Sequence, residues 1–260
     1  MGKKNAIVFA LLITLLSSCN KSLFTKYIDY DYASSYHVIN KGGEQYKTVK
    51  NIDISWVKGK VNILKTTEYE YLTIIERLAE SYSDKYLCHV YNDQENTKLM
   101  VKYCESGISI PSTYSKTLDI YIPDSMPMDS INVYLSTSSL SISDITVKDL
   151  SVKNVSGTVN VTNITSKNLV YDGVSGALTV VLNKVVENIK INQTSGASIL
   201  SFPNEIEGFN IEVNTVSGTF YSDFEAIQTE NLYSYGEKDK MNIEFNSVSG
   251  TLSIVKTEVK

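Results

Sequence analysis

Two stretches decide the fold: LSVKNVSGTVNV at residues 150–161 and LVYDGVSGALTV at 169–180. Each centres on Val-Ser-Gly, with Gly157 and Gly176 19 residues apart. Apolar residues recur at the same offsets: seven, five and two residues before the glycine, then two and four after it. Leu150, Val152, Val155, Val159 and Val161 in the first copy match Leu169, Tyr171, Val174, Leu178 and Val180 in the second. That spacing reads as two short strands of period two joined at a glycine-marked bend. At such a bend glycine supplies either a positive φ or room for a second backbone.

Working outward, the same pattern recurs five more times. IKINQTSGASIL (189–200) centres on Gly196, IEVNTVSGTFYS (211–222) on Gly218 and IEFNSVSGTLSI (243–254) on Gly250. INVYLSTSSLSI (131–142) has Ser138 in the glycine position, and an isolated early copy, IDISWVKGKVNI (52–63), centres on Gly59. From Ser138 onward the centres are 19, 19, 20, 22 and 32 residues apart. This period predicts an all-β chain, a β-solenoid of stacked rungs of about 19–22 residues, each burying its apolar face against its neighbours. An antiparallel β-sandwich is the alternative for so β-rich a chain. The extra residues before Gly250 fall within 226–240, a polar stretch bearing Tyr233 and Tyr235, predicted to project as a loop.

Ahead of the array, LDIYIP (118–123) alternates and stops at proline, as an edge strand would. Leu72, Ile75 and Leu78 have helical spacing, but β-like flanks favour a strand there. Residues 87–91 and 99–103 read as a hairpin. A three-residue loop at 95–97 would set Cys88 opposite Cys104 on one face, where an exported chain is expected to form a disulfide. Two reduced buried thiols are the alternative.

The first residues, MGKKNAIVFALLITLLSSC, place Lys3 and Lys4 before an apolar run at 6–16. That run is about half the ~20 residues a spanning helix needs, so it reads as a signal-peptide core. Leu16-Ser17-Ser18-Cys19 resembles the bacterial lipobox, in which the cysteine thiol takes a diacylglycerol before cleavage. The expected divisions are a signal peptide at 1–18, a lipidated tether or N-terminal cap at 19–48, and a solenoid at 49–260. Within the solenoid, 49–130 is irregular and 131–260 is the repeat array. Tyr27, Tyr30, Tyr32 and Tyr36 crowd the tether-or-cap stretch, where capping of the first rung is the favoured reading. The chain carries 24 Lys+Arg and 29 Asp+Glu; removing Lys3 and Lys4 leaves 22 against 29, a net charge of −7. No basic patch stands out, so nucleic acid is not an expected partner.

The residues that could carry catalysis or bind a metal are few and scattered. GVSG at 173–176 lacks the G-x-S-x-G spacing of a nucleophile elbow and lies inside a repeat. The histidines, His37 and His89, sit in separate segments and make a poor metal pair. Asp144, Asp149, Asp172 and Asp223 fall at different places in their repeats, so no stacked acidic pair for glycoside chemistry is expected. No phosphate loop or glycine–aspartate calcium repeat occurs, and no cofactor is expected.

The opening I-x-I-x-x-V-x-G-x-V-x-I unit at 52–63, the strand ending in proline at 118–123 and the Ser-Gly array together resemble the bacterial putative-adhesin family of unknown function. Its β-solenoid domains carry repeated V-S-G-x-[LV]-x-[LV] units, and the likeness spans roughly residues 50–256. The resemblance implies a β-solenoid in the cell envelope and assigns no ligand. The long stretch at 66–114 and the insertion before the last copy depart from the pattern. The expected function is a non-enzymatic envelope lipoprotein, palmitoylated at Cys19, that presents a β-surface to a protein or glycan. The outer membrane or cell surface is preferred over the inner membrane. A structural or regulatory component binding a partner protein is the runner-up, and a polysaccharide-active enzyme ranks last.

Overall fold

The computed structural model describes residues 27–28, 30–78, 83–183, 186–236 and 241–257. Cys19 and the expected signal peptide lie outside the described residues. The N-terminal part holds β1 (Tyr27–Ile28), β2 (His37–Val38), β3 (Glu44–Tyr46), β4 (Asn51–Thr66), β5 (Leu72–Arg77), β6 (His89–Asn92), β7 (Lys98–Lys102), β8 (Ile108–Ser109) and β9 (Lys116–Pro123). The array holds β10 (Met128–Ser143), β11 (Val147–Asn154), β12 (Thr158–Thr162), β13 (Asn168–Gly173), β14 (Ala177–Val181), β15 (Asn188–Gln193) and β16 (Ala197–Pro203). It closes with β17 (Gly208–Thr215), β18 (Thr219–Ser222), β19 (Ile227–Thr229), β20 (Leu232–Gly236), β21 (Asn242–Ser247) and β22 (Thr251–Thr257).

These strands form the predicted β-solenoid, with two parallel stacks meeting at the glycine bend. The first stack runs β7–β4–β10–β11–β13–β15–β21–β17 in space. The second runs β9–β4–β10–β12–β14–β16–β22–β18. β4 and β10 are continuous through the bend and serve both stacks. Eight rungs at about 4.8 Å give a stack roughly 34 Å long. The period-two apolar positions build the interior: Ile52, Ile131, Leu150, Leu169, Ile189 and Ile243 form a buried column in one stack, and Val61, Leu140, Val159, Leu178 and Leu252 in the other. The return turns add Ile145 and Ile164, also buried, beside the bridged pair Thr146 and Thr165.

Five expectations are corrected. First, the rungs do not stack in chain order. The Gly59 rung is not isolated: it lies between the Ser138 rung and an outer rung made by β7 and β9. At the other end the Gly218 rung is outermost, and the chain returns to insert the Gly250 rung between it and Gly196. Second, the insertion before Gly250 is therefore a crossover, not a projecting loop. Its residues form β19 and β20, and β20 pairs antiparallel with β17, covering the end of the first stack. Third, β9 is flanked by both β4 and β5, so LDIYIP is no edge strand; Pro123 merely ends it.

Fourth, the valine two residues before each glycine is not core. Val57, Val155, Val174 and Val248 are half-buried and Val216 is exposed. The residue three before points inward instead: Trp56, Leu135, Asn154, Gln193 and Ser247 are buried. A sharp bend interrupts the alternation of faces, so parity read along one strand fails across it. Fifth, the hairpin register is one residue off. Asn92 pairs with Leu99 and Val90 with Val101, which sets Cys88 across from Tyr103 rather than Cys104. The cause is a four-residue loop. The Asp93 carboxylate accepts the Thr97 and Lys98 peptide N–H groups at 2.7 and 3.0 Å, and Asn96 takes a φ of 53°. Cys88 and Cys104 are both buried free thiols.

The bend glycines use both freedoms the sequence left open. Gly59, Gly157 and Gly196 have φ of 102°, 143° and 112°. Gly176, Gly218 and Gly250 do not take a positive φ, but a Cβ on any of them would overlap a neighbouring rung.

Candidate binding surface

The two outward faces differ in kind. On the first stack, polar side chains bond from rung to rung. Asn192 donates to Asp172 at 2.8 Å, Asn246 to Asn192 at 2.9 Å, Asn214 to Asn246 at 3.1 Å and Asn231 to Asn214 at 2.8 Å. Lys190 bridges to Glu244 at 2.8 Å. Burial alone would raise the Glu244 carboxyl, but the hydrogen bonds from Lys190 and Asn246 outweigh it and hold it below the usual range. Amides and the Lys190–Glu244 ion pair thus link successive rungs into a polar ladder.

Over the five rungs from β10 to β22 the second stack carries no charge on the matching face; the columns become charged only beyond them, at Lys60 on β4, Asp119 on β9 and Asp223 after β18. Its columns read Ser139–Thr158–Ala177–Ala197–Thr251, Ser141–Asn160–Thr179–Ile199–Ser253 and Ser143–Thr162–Val181–Ser201–Val255 across the five rungs from β10 to β22. At the chain's overall 20% charged residues, about three of these fifteen positions would be ionic. Small side chains keep the face flat, and Ile199 and Thr158 stand exposed on it. Such a face can be desolvated without stripping water from an ion, and it offers hydroxyls and one amide as hydrogen-bonding partners.

The buried chemistry lies elsewhere, at the β7/β9 end. Lys116 and Glu76 form an ion pair at 2.7 Å, with side chains 2% and 5% exposed. The ammonium also donates to the Tyr86 carbonyl at 2.7 Å and to the Tyr103 carbonyl, and lies 4.3 Å from the Tyr103 ring centroid. Glu76 accepts the Cys88 peptide N–H at 3.0 Å. All three ammonium protons are thus engaged, which makes Lys116 a strut rather than a base. Burial pushes the Cys104 thiol up to about 12, and burial together with Glu76 pushes Cys88 higher still. Neither is a thiolate near neutral pH, so neither is poised as a nucleophile.

The remaining sequence candidates are apart. His37 pairs with Glu44 at 3.1 Å, while His89 is buried with Nδ1 3.0 Å from the Leu87 carbonyl. Asp149 accepts from Asn168 and Asp172 from Asn192, so each carboxylate meets an amide, not a second carboxylate. Among the described residues no group of three or more His, Cys, Asp or Glu could hold a metal ion. Tyr233 and Tyr235 pack inward, on Phe220 at 4.5 Å and Phe224 at 4.9 Å. The charge-free face could not be found from sequence without knowing which residues share a column. Lys116, Glu76 and Trp56 gave no local signal.

The architecture defines a β-solenoid whose five rungs from β10 to β22 are charge-free on the outer side of one stack and charged on that of the other. The chain belongs to the Toastrack DUF4097 family, whose model matches residues 49–180 and 172–255. No curated protein matches it. Among solved structures it is similar to a "putative cell adhesion protein" from Clostridium sporogenes, at 16% identity and a TM-score of 0.52 over 85% of this chain and 98% of that one. It also matches a "putative adhesin" from Bacteroides fragilis, at 12% identity and a TM-score of 0.35 over 83% and 95%. A third match is a "putative lipid binding protein" from Parabacteroides distasonis, at 13% identity and a TM-score of 0.35 over 83% and 96%. The first of these shares the fold.

Proposed function

We propose that this protein is a non-enzymatic envelope lipoprotein, anchored through Cys19, whose second-stack face binds a protein or glycan. The carrying observation is the run of fifteen uncharged outward positions from Ser139 to Val255, set against the ionic ladder on the other stack. Depletion of charge is the compositional mark of an interface centre. The name of the Clostridium sporogenes structure supports adhesion as the kind of binding. The test is photo-crosslinking in intact cells from Asn160, on the charge-free face, and from Ser151, on the ionic one. Adducts from Asn160 that are absent from Ser151 are expected. No adducts, or equal adducts from both, would overturn the assignment.

A further inference from the structure

The outermost strand of the second stack, β18, is bare on one side. Thr219 and Asp223 donate their peptide N–H groups to the Gly250 and Ile254 carbonyls, so alternation turns those of Phe220 and Ser222 away from β22. The other outer strands are covered: β7 by β6, β9 by β5 and β17 by β20, each antiparallel. Among the described residues nothing pairs with the free side of β18. Its sequence, Thr-Phe-Tyr-Ser, holds none of the charges, prolines or bulges that protect an edge. Around it Val216, Tyr221, Ile227 and Leu232 are exposed, at 61%, 58%, 76% and 41%.

This end is also acidic. From 191 to 236 the chain carries six carboxylates, Glu205, Glu207, Glu212, Asp223, Glu225 and Glu230, and no Lys, Arg or His. On the adjoining strand Lys256 holds its ammonium over the Phe224 ring at 5.2 Å.

We infer that the free edge of β18 receives an extended, basic segment of a partner protein by strand addition. Only a polypeptide backbone offers donors and acceptors at strand spacing, and apolar side chains on alternate residues would meet Val216 and Tyr221. The carboxylates favour a lysine- or arginine-bearing segment. They disfavour a second copy, which would set its own Asp223 and Glu225, the carboxylates that directly follow β18, against the same pair here. The inference rests on the binding reading above and gives it a second location and a partner class.

The probe is the capped peptide Lys-Val-Thr-Val-Lys-Val-Thr-Lys, titrated against the full lipoprotein in detergent by fluorescence anisotropy. It should bind at least tenfold tighter than the same peptide with Glu for Lys, and tenfold tighter than one with proline at its centre. Ser222→Pro removes an outward N–H, together with the hydroxyl's two local bonds with Phe224, without touching the bonds to β22, so it should weaken binding at least tenfold in a chain that still folds. Should Ser222→Pro fold poorly, Tyr221→Lys, at an exposed side chain, should weaken the same peptide through charge. No binding, equal binding of the proline peptide, or full binding by Ser222→Pro or by a folded Tyr221→Lys would each overturn the inference. So would a dimer that Ser222→Pro dissolves, since it would give the edge to a second copy. Asn160 shares its outward column with Tyr221 but lies four strands in from β18, so crosslinking that persists there alongside lost peptide binding overturns the edge alone.

Discussion

Lys116 stands in the column that elsewhere holds Gly59, Ser138 and Gly157. It can do so because its rung is outermost, and its side chain enters space closed by Glu76, Trp56 and Tyr103. Removing one partner of a buried ion pair strands the other, which typically costs about 3–5 kcal/mol. Lys116→Met should lose stability of that order in urea unfolding. The double variant Lys116→Met/Glu76→Leu should recover most of it, since a hydrophobic replacement of both charges is often neutral. A loss under about 1 kcal/mol for Lys116→Met would show that the pair is not a strut. Nothing in the sequence marks Lys116, because its column is defined only by register across strands far apart in the chain. Asn154 and Gln193 hid for a related reason. Their amides fill the inside of the bend, donating to the Gly157 and Gly196 carbonyls at 3.2 Å, where parity along one strand predicts an outward side chain.

At the scale of the element, the rung was legible because its rule is local. Leu150, Val152, Val159 and Val161 point inward as the period-two pattern requires, and the matching positions of the Gly176 rung do too. A pair of substitutions tests the facing. Gly176 does not need a positive φ, but a Cβ there would overlap the Asn154 amide and sit 2.7 Å from the Gly157 carbonyl oxygen. Gly176→Val should therefore cost about 1–3 kcal/mol through overpacking. Thr179, whose column neighbours are Asn160 and Ile199, faces outward. Thr179→Lys should change stability by less than about 0.5 kcal/mol. If urea unfolding ranked Thr179→Lys as the more damaging, the facing assigned to β14 would be wrong. The hairpin of β6 and β7 marks where local rules ran out. One residue more in its loop, fixed by Asp93, moved every pairing by one.

At the scale of the molecule, each end of the solenoid is built by overshooting and returning. The chain lays down the Gly59 rung, goes outward to β7 and β9, and comes back to place β10 on the inner side. It repeats the manoeuvre around the Gly218 rung. Spacing in sequence shows how many rungs there are but not their spatial order, since an insertion serves a loop and a crossover equally well. The first described residues lie at the β7/β9 end: β2 pairs with β6, β3 with β5, and the Tyr30 hydroxyl donates to the Cys104 carbonyl at 3.1 Å. Cys19 lies 11 residues before Tyr30, so about 40 Å of extended chain at most separates it from that end. A lipid there would hold the β7/β9 end nearer the membrane and leave β18 and the β19–β20 hairpin farther out. Among the described residues no helix is long and apolar enough to cross a membrane; the proposed anchor is the lipid on Cys19. Several acyl chains on one cysteine hold a protein far more firmly than a single chain does. Cys19→Ser should therefore abolish incorporation of an alkyne fatty acid and shift the protein from the membrane pellet to the soluble fraction. A wild-type chain that takes up no acyl label, with a variant that still pellets with the membrane, would remove the anchor and with it the orientation of the tip.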